Sequence, residues 1–217
     1  MNCKLPIAVV STAWLVLATA GAGQAETLTF DELVPPTPVD GLSIKGVTFD
    51  FKLDNVDSTD AVYNLSLPPE FPGNLFVNLQ APSLQGNAKG ILTLDFAEPV
   101  SALGFAAGVE AFGPITPALI VELFDPELNT LGRTPVNTTS IAVLSEGLFT
   151  YSGVPVQRVI LDFDETMLGL NETSDPRFSL DNLTYTAVPE PSSFVGLLAM
   201  CVSGGALRWL RKKQHKA

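Results

Sequence analysis

The chain has 217 residues, and residues 26–188 carry 22 acidic and 6 basic side chains, a net charge of −16. A surface this acidic would repel phosphates, which argues against nucleic acid as a partner. The one His and both Cys lie outside 26–188. This region therefore cannot build a Ser–His–Asp triad, a Cys nucleophile, a His-ligated zinc site or a disulfide.

Residues 1–25 are predicted to be a signal peptide with an apolar helix. Lys4 gives a weakly positive start, and an apolar run extends over residues 5–20. The small residues Gly23 and Ala25 suit cleavage after Ala25. A retained membrane anchor is the alternative, but with cleavage the rest of the chain is exported.

Residues 26–188 are predicted to form one all-β body. Short apolar or alternating runs, separated by Gly, Pro, Asn and Asp, favour strands over helices. The predicted strands are 27–33, 47–53, 61–67, 75–79, 90–96, 100–107, 118–125, 139–144, 148–152, 156–163 and 178–186. Prolines fall mostly between them, where a strand cannot continue. So many strands in one domain predict a β-sandwich or jelly-roll-like body, with the 12 Phe of this region filling its core.

Two of these strands alternate cleanly between apolar and polar residues, at 47–53 and 92–96. The alternation of the last strand breaks near Asp181 and Asn182, which predicts a β-bulge there.

An acidic segment follows the strand at 47–53. Asp54, Asp57 and Asp60 stand among hydroxyl and amide side chains, and such oxygens are the ligands that Ca²⁺ prefers. Their spacing differs from that of an EF-hand loop. The two interpretations are a Ca²⁺ site and a solvated turn.

A second group of acids depends on strand pairing. If the first and last strands pair, Asp31 and Glu32 approach Asp181, and a shared Ca²⁺ would relieve their repulsion. The alternative is that these side chains face solvent on alternating strands.

Asp162 and Asp164 would share one strand face, with Phe163 facing the core. Two close carboxylates are the machinery of a glycoside hydrolase, so a secreted carboxylate-dependent glycosidase is one alternative function. An exposed strand end is the other interpretation of this pair. The three Tyr of the body are candidates either for stacking on a sugar or for packing within strands, namely Tyr63, Tyr151 and Tyr185.

The last segment, residues 189–217, has three parts in a fixed order. Pro189, Glu190 and Pro191 come first, and an apolar stretch predicts a transmembrane helix at 194–210. A basic end follows, which the positive-inside rule places in the cytoplasm. Its predicted cytoplasmic residues are Arg208, Arg211, Lys212 and Lys213.

This tail resembles the PEP-CTERM sorting signal of exported proteins of Gram-negative bacteria. Pro189, Glu190 and Pro191 match its tripeptide, and the Gly-containing helix and basic end match as well. The resemblance implies recognition by an exosortase in the inner membrane, removal of the helix, and a link to exopolysaccharide. It covers only the tail; an ordinary membrane anchor is the alternative.

The sequence thus predicts an exported, exosortase-sorted protein of the cell surface or extracellular matrix, anchored in the inner membrane before processing. Its body is interpreted as non-catalytic and as a candidate for carbohydrate binding.

Overall fold

The structure is a computed structural model that describes residues 23–65, 76–111, 113–141, 144–163 and 176–188. The predicted signal peptide up to residue 22, the sorting tripeptide, the transmembrane helix and the basic end lie outside the described residues. Among those described, there is no helix long and apolar enough to cross a membrane. The described residues belong to one compact unit.

The described residues form an all-β fold, which confirms that part of the sequence prediction. The strands are β1 (Ala25–Leu28), β2 (Thr37–Pro38), β3 (Ser43–Ile44), β4 (Val47–Leu53), β5 (Val56–Asp57), β6 (Val62–Leu65), β7 (Ser83–Asn87), β8 (Ile91–Glu110), β9 (Ile115–Phe124), β10 (Thr130–Ile141), β11 (Leu144–Phe163) and β12 (Arg177–Ala187). They join one antiparallel sheet with the order β10-β9-β11-β8-β12-β7-β6-β2. β1 adds to β12, and β4 pairs with β8.

Two strands of 20 residues, β8 and β11, run through both halves of this sheet. Residues 91–96 of β8 pair with β4 and with the end of β11, next to β9; we name this half the first layer. Residues 100–109 of β8 pair with β12 and with the start of β11; this half is the second layer. Each long strand takes the place of two shorter predicted strands, 90–96 and 100–107 in β8 and 148–152 and 156–163 in β11.

The division between the layers coincides with prolines inside the long strands. Pro99 in β8 and Pro155 in β11 lie where the β8–β11 register shifts. Pro135 lies in β10, at the end of the sheet order. Most described prolines lie outside strands, as expected, and these three are among the exceptions. Irregular pairing and sheet edges accommodate a residue without an N–H.

The two layers pack face to face around one core. Phe51 of the first layer lies 6.0 Å from Phe178 of the second, measured between ring centroids, and Phe163 lies 4.3 Å from the same ring. Phe96 meets Tyr185 at 5.3 Å. The predicted Phe-rich core is confirmed, and among the described residues eight rings are buried: Phe30, Phe49, Phe51, Phe96, Phe105, Phe149, Phe163 and Phe178.

Residues 76–82, which we name the strap, precede β7 and carry no strand. The sequence prediction of a strand at 75–79 is wrong for the described residues 76–79, although the apolar Phe76, Val77 and Leu79 suggested one. The backbone N–H groups of this segment bond to side-chain carboxylates instead of to a neighbouring strand. The strap lies on the outer face of the second layer, as its contacts below show.

Candidate functional site

A cleft of about 320 Å³ opens on the outer face of the second layer, beside the strap. Three strands and the strap supply its walls, and β8 runs between β11 and β12. The volume is at the lower end of the range for small-ligand pockets. The cleft is lined by Val77, Asn78, Gln80, Gly104, Phe105, Ala106, Leu148, Phe149, Thr150, Asn182 and Thr184.

Small residues on the outer face of β8 make the cleft concave. Leu103, Phe105, Ala107 and Val109 belong to the main core, so the residues between them face outward. Those residues are Ala or Gly at every second position, namely Ala102, Gly104, Ala106 and Gly108. At Gly108 a Cβ atom would lie 2.5 Å from Leu79 Cδ1, because the strap packs directly over this strand.

The carboxylate of Glu146 in β11 holds the start of the strap. It is 3% exposed and accepts three successive backbone N–H groups, from Val77 at 2.9 Å, Asn78 at 3.1 Å and Leu79 at 3.1 Å. The Asn78 side-chain amide donates to the same carboxylate at 3.3 Å. Charged acceptors make the stronger hydrogen bonds, so a negative charge is buried here on backbone dipoles.

Asp181 in β12 holds the other part of the strap. Its carboxylate is 1% exposed and accepts the N–H of Gln80 at 2.7 Å and the N–H of Asn182 at 2.6 Å. Burial raises the pKa of Asp181 to about 6; the two backbone hydrogen bonds oppose the rise, and the charges of Asp31 and Glu32 add to it. Protonation of this anchor thus falls within a mildly acidic range.

The predicted bulge in β12 is confirmed, and it shapes the cleft. The register with β8 shifts between Asp181 and Thr184, and Asn182 has φ +52°, a left-handed conformation that Asn tolerates. The Asn182 side-chain amide donates to the Asn78 carbonyl at 3.1 Å. The bulge therefore joins the last strand to the strap across the cleft.

The rim of the cleft combines amides and hydroxyls with two exposed apolar side chains. The polar side chains belong to Asn78, Gln80, Thr150, Asn182 and Thr184. Val77 is 74% exposed and Leu148 is 59% exposed. No carboxylate and no cation is among the described residues that line the cleft, so its chemistry is that of uncharged hydrogen-bonding groups beside apolar surface.

The acidic segment after β4 forms a tight hairpin turn. Asp54 and Asn55 have φ values of 53° and 62°, and they connect Leu53 directly to its partner Val56. Asp and Asn are favoured where a two-residue turn requires positive φ at both positions.

The three acids of that segment have separate surroundings. Asp57 pairs with Lys52 at 3.3 Å, and Asp60 pairs with Arg177 at 2.7 Å. Asp54 is exposed at the turn. The turn geometry corresponds to the alternative interpretation, in which this segment is a solvated turn.

The predicted pairing of the first and last strands is present, with Leu28 opposite Leu183. β1 ends at Leu28, so Asp31 and Glu32 lie beyond it and not on a strand. The Glu32 carboxylate accepts hydrogen bonds from Lys45 Nζ at 2.8 Å and from the Tyr63 hydroxyl.

Asp31 accepts a hydrogen bond from the Thr29 hydroxyl at 2.6 Å. Within the described ranges, no three His, Cys, Asp or Glu side chains form a group that could hold a metal ion. Ca²⁺ binding by Asp31, Glu32, Asp54, Asp57, Asp60 and Asp181 stays a prediction, and its test is given in the Discussion.

The described residues that the sequence suggested for sugar chemistry are not part of the cleft lining. Phe163 is buried and Asp162 is half-buried, as alternation predicts, whereas Asp164 is outside the described residues. The rings of Tyr63 and Tyr185 are buried in the core, and the Tyr151 hydroxyl donates to the Val154 carbonyl. Packing, not sugar stacking, is therefore the role of Tyr63 and Tyr185.

Sequence reasoning did not identify the cleft or its two anchors. One signal was available: small residues at every second position of an apolar strand indicate close backbone approach or a recess. Glu146 carries no comparable signal, because the amides that it binds lie 67 to 69 residues earlier in the chain.

No protein-family model matches this chain, and no curated protein matches it. Among solved structures, it is similar to a family 29 carbohydrate-binding module from Piromyces equi, with a TM-score of 0.37, 11% identity and coverage of 75% of this chain and 91% of that one. A family 29 module mutant complexed with cellulohexaose gives a TM-score of 0.36, 9% identity and coverage of 75% and 91%. At these TM-scores neither a fold family nor a ligand can be transferred to this chain.

Proposed function

We propose that this chain is an exported, non-catalytic carbohydrate-binding protein whose jelly-roll-like β-sandwich body binds a glycan in the cleft beside the strap. The observation that carries the proposal is the composition of the cleft. The amide oxygens of Asn78, Gln80 and Asn182 can accept hydrogen bonds from sugar hydroxyls, and the Gln80 amide can also donate them. The Asn182 amide nitrogen donates within the protein, to the Asn78 carbonyl and to Asp181. Thr150 and Thr184 add hydroxyl groups to the lining.

Apolar contact would come from aliphatic side chains. Val77 and Leu148 are both exposed at the rim, and each would cover C–H groups of a sugar ring. Mostly apolar walls with a few placed polar groups are typical of small-ligand sites.

The cleft favours binding over hydrolysis. Glycoside hydrolysis needs two carboxylates that face the scissile bond, about 5 to 10 Å apart. The described residues that line the cleft include no Asp or Glu. The nearby Glu146 and Asp181 carboxylates are buried and accept hydrogen bonds from the strap, so they are not available as an acid and base pair.

Sorting to the cell surface is the second part of the proposal, and it depends on the sequence of the tail. Pro189, Glu190 and Pro191 would be recognised by an exosortase while the helix at 194–210 holds the precursor in the inner membrane. Removal of that helix would release the body to the surface or the matrix, where it would meet exopolysaccharide.

Two experiments test the proposal separately. A glycan array with the purified chain, with and without Ca²⁺, should give binding that Asn182→Ala and Leu148→Ala both weaken; no signal on any glycan would contradict carbohydrate binding. For sorting, Pro189, Glu190 and Pro191 would be replaced by Ala in a host with the matching exosortase. Unchanged processing of that variant would leave a plain membrane anchor as the better explanation.

A further inference from the structure

We infer that the cleft takes an uncharged polysaccharide and discriminates against acidic ones by electrostatic repulsion. The inference rests on the proposed carbohydrate binding and adds the class of ligand. It is carried by two observations: two buried carboxylates hold the strap beside the cleft, and the described lining of the cleft contains no cation.

The strap that forms one wall of the cleft is attached to two buried carboxylates. Glu146 lies beneath Val77 and Asn78, and Asp181 lies beneath Gln80, next to Asn182. No cation is among the hydrogen-bond partners of either carboxylate in the described part of the chain. Buried charges are screened less by salt than exposed ones, so their field extends into the cleft.

Most cations of the body lie in ion pairs outside the cleft lining. Residues 26–188 contain six Lys and Arg, and five of them form ion pairs with acids outside the cleft lining. These pairs are Lys45–Glu32, Lys52–Asp50, Arg133–Glu122, Arg158–Asp95 and Arg177–Asp60. Recognition of a carboxylate or sulfate group uses Arg or Lys, and the described lining of the cleft provides neither.

An uncharged sugar needs none of these cations. Its hydroxyls can pair with the rim amides and hydroxyls, whereas each acidic group of a uronate or sulfated polymer would be desolvated beside negative charge. The net charge of −16 for residues 26–188 adds long-range repulsion of polyanions at low ionic strength. Selectivity for uncharged polymers thus comes from negative charge that repels acidic ones.

The test compares polymers with matched backbones. Hydroxyethylcellulose and carboxymethylcellulose form one pair, dextran and dextran sulfate a second, and galactomannan extends the neutral set. Affinity electrophoresis of the full-length chain at 20 mM salt should show retardation by at least one neutral polymer. The acidic member of that pair should bind at least ten-fold more weakly, and 300 mM salt should reduce the difference.

A charge added to the cleft gives the matched control. Thr150 is an exposed cleft residue, and Thr134 is an exposed residue of β10 outside the cleft. Thr150→Lys should strengthen binding of the acidic polymer roughly five-fold at low salt, whereas Thr134→Lys, with the same net charge, should not.

The outcomes separate the two proposals. Equal or tighter binding of the acidic polymer by the wild-type chain at low salt would overturn the charge discrimination and leave carbohydrate binding in place. Charge discrimination in the cleft would also be overturned if Thr134→Lys strengthened binding of the acidic polymer as much as Thr150→Lys. The gain would then come from the net charge of the protein and not from the cleft. Failure to bind any neutral polymer of the set would overturn the inference, and the absence of any signal on the glycan array as well would overturn carbohydrate binding.

Discussion

Glu32 is partly buried and Asp181 is fully buried, and their pKa values move in opposite directions. Burial opposes ionisation of Glu32, but hydrogen bonds from Lys45, Tyr63 and the Thr29 N–H outweigh it and lower its pKa to about 2. Asp181 has no cationic partner of this kind among its described contacts, and burial raises its pKa to about 6. The hydrogen-bond partners of Glu32 thus set the direction of its pKa shift, whereas burial sets the direction for Asp181.

Asp181 makes folding stability depend on pH between about 4 and 6. Its pKa is about 6 in the folded protein against an ordinary 3.8, so the folded state binds the extra proton in this interval. Stability contributed by that proton is complete below pH 3.8 and is lost as pH rises through 6, by about 3 kcal/mol in all. Asp181→Asn should remove this dependence, measured as the urea midpoint from pH 4 to pH 7.

Asp54→Asn is the matched control for that measurement. Asp54 is exposed, and its positive φ is one that Asn also tolerates. The control should keep the wild-type profile. A wild-type profile in Asp181→Asn would instead contradict the raised pKa of Asp181.

Tyr63→Phe tests the donor that stabilises Glu32. The ring is fully buried and lies 5.0 Å from Phe30, so its packing should persist, while Glu32 loses one hydrogen bond. Because that bond is to a charged acceptor, the free energy of unfolding at pH 7 should fall by about 1.5–3 kcal/mol. The loss should shrink as pH falls from 4.5 towards 2, where Glu32 becomes protonated.

Tyr151→Phe is the corresponding control. Its hydroxyl donates to the Val154 carbonyl near the surface, at 2.8 Å. The free energy of unfolding should fall by less than about 1 kcal/mol in Tyr151→Phe, and this loss should not change between pH 4.5 and pH 2. Equal losses in the free energy of unfolding for the two variants would mean that the hydrogen bond from Tyr63 to Glu32 is no stronger than the one from Tyr151 to a backbone carbonyl.

The strap depends on one carboxylate for three successive N–H groups. Glu146→Gln leaves a single acceptor oxygen and adds an amide donor that faces other donors. We expect a loss of about 2–3 kcal/mol in stability and faster hydrogen exchange at Val77, Asn78 and Leu79. Glycan binding should weaken as well, because the strap forms one wall of the cleft.

Glu122→Gln is the control for this change, since Glu122 lies in an open ion pair with Arg133 at 3.8 Å. Such surface pairs contribute about 0–1 kcal/mol. Unaltered exchange at residues 77–79 in Glu146→Gln would show that the strap is held by packing of Leu79 and not by the carboxylate.

The contact between β10 and β11 depends on a glycine. A Cβ at Gly147 would lie 2.4 Å from the backbone oxygen of Asn137, which cannot rotate away as a side chain would. Gly147→Ala should therefore destabilise the fold by about 1–3 kcal/mol in chemical denaturation. Gly132→Ala, with no atom within 4 Å of the new Cβ, should change stability by less than about 0.5 kcal/mol. Similar values for both variants would contradict the close approach.

At the scale of the whole molecule, self-repulsion opposes folding. A net charge of −16 over residues 26–188 favours expanded states at low ionic strength. Raising NaCl from 10 to 150 mM should raise the melting temperature by a few degrees, because the Debye length shortens to about 8 Å.

The same measurement tests the predicted Ca²⁺ site. CaCl₂ and MgCl₂ at matched ionic strength should screen equally, so a further rise in melting temperature with Ca²⁺ alone, reversed by a chelator, would indicate a specific site. Identical melting temperatures in the two salts would contradict the predicted Ca²⁺ site.

The strands and the core could be predicted from the sequence because they depend on the alternation of apolar and polar residues that are close together in the chain. Val47, Phe49 and Phe51 alternate with polar residues, and all three are buried as the period of two requires. The bulge at Asp181 and Asn182 was readable for the same reason, as an interruption of that period.

The cleft was decided by tertiary structure, because its parts are distant in the chain. The strap at 76–82 is apolar enough to suggest a strand, and only the carboxylates of Glu146 and Asp181 give its N–H groups other partners. Both acids are at least 67 residues from the amides of the strap that they bind. No periodicity in a single sequence reports such a pairing. The sequence by itself therefore determined that the body is all-β, acidic and without His or Cys, whereas the packing of distant segments determined where a ligand could be held.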